Sequence, residues 1–102
     1  MTEAGSELGE YKVEYLALSR EIAEVRSIIE NKEDEILSIT DRIDELLDER
    51  APAHNPEIAR AREKRSRLRE ECVDLRRDCR TSVAERDWLL VQARIIFGGP
   101  RA

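Results

Sequence analysis

The sequence predicts an all-α fold: two long antiparallel helices in a coiled-coil hairpin, with two hairpins dimerising into a four-helix bundle. Three observations predict it. Apolar residues recur every three or four positions from Leu8 to Leu46, eleven of twelve steps being apolar or aromatic. One short Pro-containing break, at residues 50–55, separates this stretch from a second of similar length. The charges at the two sides of that break are opposite in sign.

The first helix is expected over residues 7–49. Its seam steps through Leu8, Tyr11, Tyr15, Leu18, Ile22, Val25, Ile29, Lys32, Ile36, Ile39, Ile43 and Leu46. A period of about 3.5 residues held this long requires a partner helix. Residues 1–6 read as a frayed lead-in, with Ser6 available as a cap. Pro52 stops the helix, since the residue before a proline is steered out of helical geometry. Asn55 and Pro56 read as an N-cap followed by a first helical residue that needs no donor.

The second helix is expected over 56–97, with Gly98, Gly99 and Pro100 in a tail over 98–102. Its seam steps through Ile58, Ala61, Arg65, Leu68, Cys72, Leu75, Cys79, Ser82, Arg86, Leu89, Ala93 and Ile96. A one-residue shift after Cys79 gives a competing register through Val83, Leu90 and Phe97, a stutter that would unwind the supercoil. Each helix spans about 60 Å at 1.5 Å per residue. Residues 7–97 therefore form a single hairpin domain.

Residues 1–50 carry fifteen acidic and six basic side chains, and residues 51–102 carry eight and twelve. Acids from Asp41 to Glu49 crowd a helix C-terminus, and bases from Arg60 to Arg69 crowd a helix N-terminus. Each arrangement opposes its helix dipole. An antiparallel hairpin sets one beside the other and offsets both penalties.

Composition narrows the function. Charged residues make up 40% of the chain and aromatic residues 4%, a balance suited to an extended helical protein rather than a pocketed globule. No apolar run reaches the ~18 residues of a membrane span, and the acidic start lacks the layout of a signal peptide. The expected location is cytoplasmic, and no membrane partner is expected. Cys72 and Cys79 lie on one helix face, too far apart along it for a mutual disulfide. They read as small seam residues, the alternative being a disulfide across a dimer axis. His54 is the sole histidine and no CxxC occurs, so no metal or other cofactor is expected. Lys32 reads as a polar seam residue that sets register, facing Cys72, rather than as a catalytic amine. The run Arg60–Arg69 lacks interleaved aromatics, which argues against direct nucleic-acid binding.

The expected function is a non-catalytic protein–protein interaction module: an adaptor, scaffold or regulator acting as a homo-oligomer. Both helix registers are apolar near the C-terminus, more than one seam can bury. Tyr11, Tyr15, Trp88, Leu89, Ile95, Ile96 and Phe97 are the expected self-association residues. Arg50, His54, Arg60 and Arg62, at the tip by the break, are the candidate surface for a protein partner. Another reading is an acidic decoy or regulator of a nucleic-acid-binding partner, marked by salt-sensitive binding.

A third reading is enzymatic. The stretch from Val25 through Arg26, Ile29, Glu30 and Glu33 to Leu37 resembles the L-R-x-x-I-D-x-x-D-x-x-I/L-L pattern of the first helix of small all-helical chorismate mutases. The resemblance covers about 13 residues and implies a concave site whose cations hold two substrate carboxylates. The lysine that this family places after its first helix has no counterpart between Ala51 and Asn55.

Overall fold

The computed structural model describes residues 3–49 and 55–98, with side chains over 9–49 and 55–96. It contains two helices, α1 (Glu3–Asp48) and α2 (Pro56–Phe97), and no strand among the described residues. Among the described residues, no helix is long and apolar enough to cross a membrane. The candidate tip residues Arg50 and His54 lie outside the described residues.

The start of α1 differs from expectation. The helix begins at Glu3, so residues 3–6 belong to it and Ser6 is internal rather than a cap. The types present explain the extension. Glu and Ala are strong helix formers, and single Gly and Ser residues cost only about 1 kcal/mol or less each. The start of α2 follows the sequence. The Glu57 amide donates to Asn55 Oδ1 at 2.8 Å and the Ala59 amide to the Asn55 carbonyl at 3.1 Å. Asn55 is thus the N-cap and Pro56 the first helical residue. Past the end of α2, Gly98 has φ +73°, the left-handed geometry that closes helices and that a side chain disfavours.

The chain divides into two compact units, one of residues Ser27–Arg76 and one of Met1–Arg26 with Arg77–Ala102. They are called here the connection unit and the terminal unit.

In the connection unit the helices run antiparallel. Lys32, Glu35 and Arg42 advance along α1 while their partners Glu71, Lys64 and Glu57 retreat along α2. Ile43, Leu46 and Ile58 form the buried cluster, with Ile39 and Ala61 packed on it. Ile29, Leu68 and Cys72 are buried as well. Each fully buried side chain of this size contributes about 1.5–3 kcal/mol. With seam positions lettered a and d, Glu35, Arg42, Glu57 and Lys64 are all g positions, and Glu33 and Arg76 are both e. The bonds Arg42–Glu57, Glu35–Lys64 and Glu33–Arg76 thus join like letters. Flanking pairs report helix orientation, and like letters face each other when the helices are antiparallel.

The acidic C-terminal turns of α1 and the basic start of α2 meet differently than the charge pattern suggests. Arg42 bridges Glu45 of its own helix and Glu57 of α2, at 3.2 and 3.0 Å. Among the described residues, Lys64 alone of the basic run pairs with an α1 acid. Arg60 and Arg62 make no ion pair among the described residues. Arg60 sits at an outer c position, beyond reach of α1.

In the terminal unit the same period holds with a looser closure. Among its described residues Ile22 and Cys79 are buried, and Tyr11, Tyr15, Ser82, Leu89 and Ala93 are half-buried. Leu89 rather than Leu90 faces the seam, Leu90 being 40% exposed. Burial at Leu89 therefore follows the unbroken register, although Val83 of the competing one is half-buried like Ser82. Ile96, the last step of the unbroken register, is nonetheless exposed.

Candidate interaction surface

The terminal unit is where apolar surface stays open. Val13, Leu16, Trp88, Leu90, Val91, Ile95 and Ile96 are all exposed there, against Ile28, Leu37, Leu47 and Val73 in the connection unit. The residues expected from sequence to self-associate divide over two faces. Tyr11, Tyr15 and Leu89 sit at the seam and line grooves along it. One groove, with Glu10, Glu14 and Ile96, has acidic walls. The other, of about 260 Å³ with Lys12, Leu90 and Ala93, is nearly wholly apolar. Its volume falls below the ~300–1,000 Å³ of small-molecule sites, and both grooves are open to solvent.

Trp88 and Ile95 lie elsewhere, at c positions on the side of α2 turned away from the seam. They are 59% and 71% exposed. With Ala84 and Val91, both exposed f positions, they form a second apolar stripe at helical spacing. The Phe97 side chain lies outside the described residues. Sequence reasoning singled out Trp88 and Ile95 but missed Val91, which reads as one more apolar residue until the register of α2 is known.

At the seam, Arg86 lies over the Tyr15 ring, its guanidinium carbon 5.8 Å from the centroid. Its Nε is buried and donates no hydrogen bond, the nearest carboxylate oxygen being Asp87 Oδ1 at 3.7 Å. The other seam arginine is better served. Arg65 Nη1 donates to Thr40 Oγ1 at 3.2 Å, and that hydroxyl donates to the Ile36 carbonyl at 2.9 Å.

Lys32 lies beside Cys72 as the seam pairing predicts, and its Nζ donates to Glu71 Oε2 at 2.7 Å. That bond holds the amine pKa above its ordinary value, with burial opposing it more weakly. The shift keeps Lys32 protonated, the reverse of what a nucleophilic lysine needs. The hydrogen bond from Lys64 lowers the Glu35 pKa, and those to Glu45 and Glu57 raise that of Arg42. In the stretch that resembles the first helix of chorismate mutases, Lys32, Glu33 and Glu35 are engaged across the seam, with Glu71, Arg76 and Lys64 in turn. Cys72 and Cys79 are buried free thiols. The described residues hold no His, Cys, Asp and Glu cluster suited to a metal ion. Compared with protein-family models, curated proteins and solved structures, the chain matches none.

Proposed function

We propose that the chain is a non-catalytic protein–protein interaction module that acts as a homo-oligomer through its terminal unit. One observation carries this reading. Among the described residues of that unit, seven large apolar side chains are exposed while only Ile22 and Cys79 are buried. Among the exposed residues, Trp88, Val91 and Ile95 fall on one face of α2, and apolar surface grouped in this way marks interaction sites; a chain with so thin a core also gains stability by association. The surface lies on a regular helix, so it is presented rigidly and costs little to order on binding. The seam grooves beside Tyr11, Tyr15 and Leu89 suit side chains of a further protein partner.

Light scattering on a gel-filtration peak tests the reading, over a concentration series. A dimer or tetramer supports it, provided the double variant Trp88→Asp with Ile95→Asp shrinks the species and keeps its helicity. Both side chains are more than half exposed, so folding does not depend on them. A wild-type monomer at every concentration overturns it.

A further inference from the structure

The outer stripe of α2 carries its own charge code. Ala84, Trp88, Val91 and Ile95 stand at f, c, f and c, a spacing of four, three and four that repeats the logic of the seam on the opposite side of the helix. Along one flank run Glu85 and Gln92, both g. Along the other run Asp87 and Arg94, both b. Asp87 and Arg94 are exposed.

We propose that a second copy of this chain docks on that stripe, α2 against α2 and antiparallel, with the two-fold axis between Trp88 and Val91. This rests on the self-association reading above and names the face that performs it. The axis sets Trp88 against Val91 of the second copy and the small Ala84 against Ile95. Large side chains thereby meet smaller ones, as interdigitated packing requires. The same axis sets Asp87 against Arg94 of the second copy and, reciprocally, Arg94 against Asp87. Glu85 faces Gln92 twice on the other flank. All four core positions are filled and no like charges meet among the described residues. A parallel pairing would set Trp88 on Trp88 and Ala84 on Ala84. It would leave Asp87 facing Gln92 and rely on Arg80 with Glu85. The antiparallel arrangement places the two α2 helices back to back and leaves the seam grooves free.

Charge reversal with sedimentation velocity tests this. Arg94→Asp and Asp87→Arg each turn both reciprocal pairs repulsive, so each variant alone should dimerise at least about tenfold more weakly. Mixing the two should restore a heterodimer of wild-type affinity, since every pair is then attractive. The double variant D87R/R94D should dimerise as the wild type does. Asp87 also lies 3.7 Å from Arg86 Nε, so Arg94→Asp is the cleaner single change. Helicity by circular dichroism confirms that each variant folds. A wild-type dimer indifferent to both reversals overturns this pairing and leaves self-association standing, and dissociation by Arg80→Glu would then assign the parallel one. A wild-type monomer overturns both.

Discussion

The connection unit and the terminal unit share two helices and one heptad period, yet close their seams differently. The first buries Ile29, Ile43, Leu46, Ile58, Leu68 and Cys72, and brackets them with four ion pairs between helices. The second buries Ile22 and Cys79, only half-buries Leu18, Val25 and Leu89, and fills most of its remaining described seam with tyrosines, Ser82, Ala93 and an arginine stacked on Tyr15. Period alone therefore does not measure closure. A seam seals where aliphatic residues of matched size face each other and flanking charges cover the edges. Where aromatic, small and polar residues alternate, apolar area remains outside.

The contrast is sharpest in truncation energies. Ile58→Ala should cost about 2–5 kcal/mol, because Ile58 is fully buried in a packed cluster. Leu89→Ala, at a half-buried position, should cost about 1 kcal/mol. The midpoints of thermal unfolding should then fall by clearly different amounts, at about 4–8 °C per kcal/mol for a chain of this size. Equal falls would erase the distinction between the units.

Arg86→Met probes why the terminal seam is loose. It removes a buried donor without an acceptor and keeps apolar volume, so stability should rise by about 1 kcal/mol. A fall would mean that the stack on Tyr15 outweighs the orphaned donor.

The smallest effect is electrostatic and belongs to the connection unit. Glu35 has a lowered pKa, so its contribution is present above the ordinary glutamate value and fades as pH drops through the folded one. Lys32 has a raised pKa, so its contribution is present below the ordinary lysine value and fades as pH climbs through the folded one. Melting temperature against pH should show both shoulders. Lys64→Gln should flatten the acidic shoulder and Lys32→Met the alkaline one. Unchanged profiles would show that these exposed pairs leave folding energetics untouched.

Much of the seam was readable from residue types. Every described seam position from Tyr11 to Leu46 is buried or half-buried, including Lys32, whose polar tip reaches the edge as a long stem allows. Asn55 and Pro56 were readable because capping chemistry is local. Other features were not. The start of α1 at Glu3 was hidden because Gly and Ser suggest a break that neighbouring helix formers override. The ion partners were hidden because net charge at a helix end does not give angular position, so Arg42 rather than Arg60 or Arg62 joins the helices. The outer stripe was hidden for the same reason. Two registers competed in α2, and only burial at Leu89 over Leu90 turns Trp88, Val91 and Ile95 to the far side.

The flanking pairs of the connection unit also act as a checksum on alignment. Sliding α2 by one heptad keeps a hydrophobic seam in contact with a hydrophobic seam, so apolar matching alone tolerates the slip. The charges do not. One direction brings Lys64 to Lys32 and Glu57 to Glu35; the other brings Glu71 to Glu35 and Lys64 to Arg42. Two of the four attractive pairs become repulsive either way, so the flanking charges favour the native alignment over its one-heptad neighbours.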